Sequence, residues 1–508
     1  MSRKAGVLIA VYVAVLAINL DITIVNVALP SIATELGAET RGLQWVVDGY
    51  NLAFATLVLA AGSLSDRYGR RPALLIGLLG FALISAAGAV AEGTGTLIAA
   101  RFGMGAFAAL IFPTTLSIIT NTFRDRRQRA AAIGGWGAMV GVGVASGPGC
   151  GGLLLEHFYW GSVFWALVPL ALAAAVLGFL LVPESRDLSV PALDMRGLAS
   201  SIAFLGTLVY TVIEAPERGW NSNGTLIGFA IAVGLAVAFI AVERAAEHPM
   251  LDIRLFTDRR FSAASAAVTV TFFALSGFIF LITQYFQVVR EFGPLSTGAR
   301  ILPVALTIAI GSVVGGLLAP RLGTRTVVVT GLISFGTAMA WIAGSVEIDT
   351  PYWTTIVPQM LLMGLGMGLI ATPATESIML VLAPSRAGVG SAVNDATREL
   401  GSTLGVAVVG SVFSSIFGSR LLESAFAATG KATEAADSVP VAFGIAAGHR
   451  GLLSAAQDSF MSGLTVACVV VAALCYATAG AGLVALPGRR FQPVVAVVAD
   501  ESDSVTAA

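Results

Sequence analysis

The segment Gly62-Ser63-Leu64-Ser65-Asp66-Arg67-Tyr68-Gly69-Arg70-Arg71 carries four charges within six residues and stands between two long apolar runs, 44–62 and 73–92. An α-helix needs about 20 apolar residues to cross a hydrocarbon layer of about 30 Å. The segment therefore reads as a short polar turn between two membrane-spanning helices. Its spacing returns once: Gly62, Arg67, Gly69 and Arg71 recur as Gly316, Arg321, Gly323 and Arg325, an offset of 254. Pro113, Thr115, Ser117 and Ile118 likewise recur as Pro373, Thr375, Ser377 and Ile378, an offset of 260. Both matches place equivalent helices eight spans apart. Such duplication is expected of alternating-access carriers, in which two similar halves rock about a midplane site.

The rest of the chain fits a membrane solvent. Of 508 residues 56% are hydrophobic and 12% charged, with a mean hydropathy of +0.86, against about 25% charge in soluble domains. A soluble enzyme and a nucleic-acid binder are excluded, and 29 basic against 30 acidic residues leave no polyanion-binding field. Apolar runs place fourteen spans near 6–28, 44–62, 73–92, 97–119, 131–155, 161–182, 197–214, 224–243, 261–284, 301–319, 326–345, 353–375, 388–417 and 461–486. The first contains Asn19, Asp21 and Asn26 and is read as a retained span rather than a signal peptide. The expected class is an all-α polytopic membrane protein. Residues 1–190 and 260–490 would form two six-helix halves and 191–259 two inserted linker helices, with an external loop at 418–460 and a tail at 491–508.

Basic residues set the orientation, because Lys and Arg in short loops resist translocation. With the N-terminus in the cytoplasm, twenty of the 29 fall inside and seven outside, while Arg101 and Arg398 lie within spans. Both termini are then cytoplasmic. Cys150, Cys468 and Cys475 lie in apolar runs and the three histidines are far apart, so no disulfide framework or metal site is expected. Neither lysine, Lys4 or Lys431, follows phosphate-loop spacing, so ATP hydrolysis is not expected, and the carrier reading of the duplicated spans assigns no enzyme activity.

Ionisable side chains within spans are costly and mark functional candidates. Asp21 lies two-thirds of the way through the first span, opposite a stripe of Asn19, Thr23 and Asn26, so that helix should be enclosed on two polar faces. A carboxyl taken out of water is neutralised by a proton or by a nearby cation. Asp21 thus reads either as a packing residue or as a proton-binding group. Asp48 sits about a turn into span 2 on a stripe with Gln44 and Asn51. It reads as shallow, either reaching water by itself or serving substrate or protons near the outer mouth. In span 13, Asp395 and Glu399 share a face and Arg398 can pair with Asp395. Alignment of Arg386 with Arg129 puts Asp395 two turns inside, as part of a self-neutralising triad or of a proton-linked carboxylate pair. Arg101 stands alone in span 4 and must find a carboxylate, carbonyls or water, as an anchor or as part of proton coupling. Glu214 and Glu376 read as solvated boundary residues. Gly143-x-x-x-Gly147-Pro148-x-x-Gly151-Gly152 strips bulk from one face of span 5 and adds a kink, which lets another helix approach.

Together these segments resemble the major facilitator superfamily, and within it the fourteen-span drug/proton antiporters. Leu20 to Pro30 is similar to that branch's first-helix motif, Gly62 to Arg71 to the superfamily's loop signature, Leu97 to Ala109 to its span 4 arginine motif, and Gly143 to Gly152 to the antiporter motif. The resemblance implies that Asp66, Arg67 and Arg70 gate one side and that Gly147 and Pro148 mark the antiporter helix. It further implies that Arg101 couples to proton movement and that Asp21, Asp395 and Glu399 are the intramembrane acids of exporters of quaternary ammonium compounds. Met104, Phe107 and Pro320 depart from the motifs. The implied activity is proton-driven antiport, without a cofactor, of amphipathic cationic drugs or dyes by a monomer in the cell membrane. The alternatives are export of an endogenous lipid, siderophore or antibiotic, and a non-coupled receptor or scramblase.

Overall fold

A computed structural model describes residues 3–123, 125–187, 194–247, 249, 251, 253–380 and 387–486. Among them are fourteen helices long and apolar enough to cross a membrane, and no strand. This is the economical solution in lipid, where every backbone N–H and C=O must be satisfied within the segment.

The first six are α1 (Arg3–Leu36), α2 (Thr40–Tyr68), α3 (Arg70–Ala89), α4 (Thr94–Thr122), α5 (Arg126–His157) and α6 (Ser162–Leu181). Next come α7 (Met195–Arg218) and α8 (Asn223–Ala245), and then α9 (Arg259–Gln284), α10 (Pro294–Leu322), α11 (Thr324–Ser345), α12 (Val357–Leu380) and α13 (Ala387–Leu422). Two short helices, α14 (Ala432–Asp437) and α15 (Val439–Ala446), precede the last span, α16 (Arg450–Ala485). Side chains close the exposed helix starts: Asp125 accepts from Gln128 N, Asp194 from Gly197 N, Ser222 from Thr225 N and Asp258 from Phe261 N. The last span begins eleven residues earlier than hydropathy alone places it, so the segment outside the spans is 423–449 rather than 418–460. The polar stretch Ser454 to Asp458 is helical although it is not apolar. The sequence boundary at 190/191 and the tail 491–508 lie outside the described residues, as does Arg386.

Packing repeats along the chain. The pairs α1–α5, α2–α4, α3–α4, α3–α6 and α1–α6 return as α9–α13, α10–α12, α11–α12, α11–α16 and α9–α16. The two groups meet along two seams, α5 against α10 and α2 against α13. The pair α7–α8 lies outside both groups, with α7 laid against α2 and α13 over the second seam. Apolar side chains of α8 such as Leu226, Ile227, Ile231 and Val237 point outward, as they do where lipid rather than water is the solvent.

We call the end where α1 starts proximal and the other distal. Among the described residues, hydrogen bonds join the groups distally: Gln44 Nε2 donates to Ala407 O (3.1 Å), Gln287 Nε2 to Val27 O (2.8 Å) and Ser438 Oγ to Ala38 O (3.5 Å). Proximally, the 62–71 turn is tied within its own group, by Arg70 N to Ser185 O (2.9 Å) and Asp187 N to Asp66 O (2.7 Å). The halves are thus joined at the distal end.

Candidate functional site

Asp21 and Arg101, distant in sequence, form one buried unit. Arg101 Nη1 donates to both carboxylate oxygens of Asp21, at 2.7 and 2.8 Å, and Nε donates to Val46 O at 2.9 Å. The two side chains are 0% and 1% exposed. The guanidinium also lies over the Tyr50 ring, with its carbon 4.5 Å from the centroid. Gly105 makes this possible: a Cβ there would sit 2.9 Å from Tyr50 Cα, so the bare backbone lets α4 press onto α2. The carboxylate and carbonyl required of Arg101 by its burial are both present. Tyr50 was not legible as a partner, because nothing in the sequence singles it out from other spans' aromatics.

The enclosure expected of α1 is found. Asn19, Asp21 and Asn26 are all buried, with Asp21 facing α4 and Asn19 facing α5. A Cβ at Gly143 would meet Asn19 Cβ at 2.7 Å, and one at Gly147 would meet Thr23 Cβ at 2.8 Å. The glycine motif serves two faces rather than one, for Gly152 packs on Leu295 and Pro148 O on Gly298, both of α10. A second glycine pair has the same role in the other half. Cβ atoms at Gly401 and Gly405 would lie 3.1 and 2.8 Å from the Cα atoms of Thr269 and Phe273 in α9. This G-x-x-x-G spacing is visible in the sequence.

On α13, Arg398 Nη1 lies 3.7 Å from Asp395 Oδ1, and the guanidinium covers the Phe272 ring at 4.5 Å. Glu399 is half-buried. Only Asp395 is paired with that guanidinium, and Glu399 has no ion pair among the described residues, so this stretch holds a surplus negative charge unless a proton or a cation neutralises it.

Asp48 corrects the expectation that it reaches water by itself. It is 0% exposed, and neither carboxyl oxygen has a hydrogen-bond partner among the described residues. The α2 face that carries it also carries Gln44, which bonds to α13. Glu214 is corrected as well: its side chain is 12% exposed and pairs with Arg41 (3.4 Å) and Arg218 (3.2 Å). Glu376 is exposed, as a boundary residue should be.

In the 62–71 turn Arg70 Nε donates to Asp66 Oδ1 at 2.7 Å and Arg67 lies 6.0 Å from the Tyr68 ring. Gly69 (φ +127°) and Gly323 (φ +87°) occupy the left-handed region that favours glycine, which is why both copies of the turn keep it. Arg71 donates to Phe179 O at 2.6 Å and its counterpart Arg325 to Leu486 O at 2.7 Å. The ion pair itself is not duplicated, because Pro320 and Thr324 stand where Asp66 and Arg70 would recur.

The profile of the Major Facilitator Superfamily matches residues 11–406. The chain belongs to that family. Among curated members of the Major Facilitator Superfamily, the multidrug resistance protein Stp of Mycobacterium tuberculosis is 36% identical over 406 residues, covering 80% of this chain and 75% of its own. The multidrug efflux pump LfrA of Mycolicibacterium smegmatis is 34% identical over 470 residues, covering 92% and 93%. In fold, the chain is similar to an inward-facing, unoccupied bacterial homolog of the human lysosomal transporter Spinster, with a TM-score of 0.65, 18% identity, and coverage of 97% of this chain and 99% of that one. The fourteen spans thus carry the facilitator fold.

Proposed function

We propose that the protein is a proton-driven exporter of amphipathic cationic drugs or dyes, acting as a monomer in the cell membrane with its proximal end and both termini in the cytoplasm. The observation that carries this reading is the charge arrangement: on α13 Arg398 pairs with Asp395 and leaves Glu399 without an ion pair among the described residues, while Asp21 is held by Arg101. Occupancy of the surplus carboxyl by a proton removes the charge that would attract a cation, and the reverse also holds, so competition for it produces exchange. Asp21 enters the same competition if Arg101 withdraws from it. A distal seam that is joined while the proximal turns bond within their own halves suits loading from the cytoplasm or inner leaflet. Entry of protons from an acidic exterior then drives efflux, limited by the differential affinity of the two states. Asp66, Arg67 and Arg70 would close the proximal side. The names of Stp and LfrA, a resistance protein and an efflux pump for many drugs, support the substrate class.

The test is reconstitution in liposomes with a pH gradient imposed in each direction, following a fluorescent lipophilic cation with wild type and Asp21→Asn. Gradient-dependent transport that reverses with the gradient and is lost in the variant is expected. Transport indifferent to the gradient, or unaffected in Asp21→Asn, would overturn proton coupling through this pair. No transport by folded wild type would overturn the substrate class.

A further inference from the structure

The inserted helices have no counterpart in the repeat, and nothing in the exchange mechanism requires them. Yet α7 touches both halves at the distal end, by two different kinds of contact. Against α13 it is held by hydrogen bonding, one bond buried and one at the surface: Ser411 Oγ donates to Val212 O at 2.9 Å, with Ser411 0% exposed, and the exposed Trp220 Nε1 in the turn after α7 donates to Ser415 Oγ at 2.8 Å. Ala407 of α13 packs among Val209, Val212 and Ile213. Against α2, Leu52 and Trp45 supply apolar contact, and the closure is ionic. Arg41 pairs with Glu217 and, at 3.4 Å, with Glu214, and it also faces Glu39 at 3.3 Å. Arg41 and Glu217 are 38% and 59% exposed, so water and salt can replace each other's charge at little cost. Between the two interfaces a single amide spans the seam: Gln44 Nε2 of α2 donates to Ser411 Oγ at 3.2 Å, while Ser411 donates onward to α7.

We infer that α7 and α8 move with the second half as one body, and that Arg41 with Glu214 and Glu217 is the distal latch that parts from α7 each time the outer side opens. The function assigned to the inserted pair is thus a strap fixed to α13 and clipped to α2. Gln44 is the group that exchanges partners, leaving Ser411 for water as α2 departs, while the Ser411 to Val212 bond persists. Cations on the distal surface compete with Arg41 for the same carboxylates, and Asp437 on α14 adds a further acidic group beside Glu39, Glu217 and Arg41. The inference rests on the carrier reading but on no particular substrate.

The test joins each interface in turn with a short, reducible bis-methanethiosulfonate linker in a Cys150→Ser background. Linking Arg41→Cys to Glu217→Cys should arrest dye export, with recovery on reduction. Linking Trp220→Cys to Ser415→Cys should leave export intact. Arrest by the second linkage, or by neither, overturns the inference. A substrate-independent measurement separates this from failure of the export reading: spin labels at Glu35 and Asn221 report α1 to the end of α7, and labels at Asn221 and Ser419 report the end of α7 to α13, all three being exposed sites. In lipid nanodiscs the first pair should show a second, longer distance on acidification while the second pair keeps one. A longer second distance for Asn221 and Ser419, or an unchanged Glu35 to Asn221 distance, overturns it even where wild type exports no dye.

Discussion

Replacing Asp21 by asparagine removes one charge from a pair that is closed to water, and its cost can be worked from the contacts. Removing one partner of a buried ion pair costs about 3–5 kcal/mol, because the other charge stays buried. The Arg101 bond to Val46 O and the stacking on Tyr50 survive in the variant, so they add nothing to the loss. The asparagine oxygen can still accept one of the two Nη1 bonds, which recovers about 1 kcal/mol. The net loss is then about 2–4 kcal/mol, or roughly 30- to 700-fold in the folded to unfolded ratio. The double variant Asp21→Asn/Arg101→Gln buries no charge and should recover most of that loss, to within about 1 kcal/mol of wild type. Thermal midpoints from fluorescence-detected size exclusion in one detergent should rank wild type and the double variant together, with Asp21→Asn well below both. A single variant as stable as wild type, or a double variant less stable than the single, would refute the claim that the two charges neutralise each other out of contact with water.

Gly147→Ala forces a Cβ against Thr23 and should cost about 1–3 kcal/mol by overpacking, whereas Gly141→Ala, which meets nothing within 4 Å, should leave the same midpoint unchanged. Asp48→Leu replaces a buried carboxyl without partners and should raise the midpoint, by about 1–3 kcal/mol in stability; a fall would show that a donor reaches it. Burial pushes the Asp437 carboxyl above its ordinary value of 3.8, with Glu39 and Glu217 adding to the rise and Arg41 opposing it. Its charge therefore destabilises the fold only once the pH has risen through that range. Asp437→Asn should raise the midpoint at about pH 7 and make no difference near pH 3, and an equal gain at both would refute the sign.

What could be read from the chain follows from what is local. Span number, the repeated turn at 62–71 and 316–325 and the glycine motif are properties of composition and short spacing, and lipid leaves helices little alternative. Asp395 with Arg398 is legible for the same reason, being three residues apart on one helix. The limits of α13 and α16 were not, since helices continue past the apolar core wherever neighbours or water satisfy them. Asp48 reads as reaching water because hydropathy counts residues from the span end and is blind to the packing that buries it.

The sequence alone determined that this protein spans a membrane fourteen times as a duplicated carrier with acids and two arginines in its spans, because each of those properties is written in runs of about 20 residues. Only the tertiary structure decided which charges meet. Arg101 needs a partner wherever the chain folds, but that it is Asp21, with Tyr50 and Val46 O around it, depends on α1, α2 and α4 converging. The distal seam where Gln44, Ser411 and Val212 join three helices has the same origin. Helix packing sets such pairings through shape and desolvation summed over many residues, and no local spacing encodes that sum.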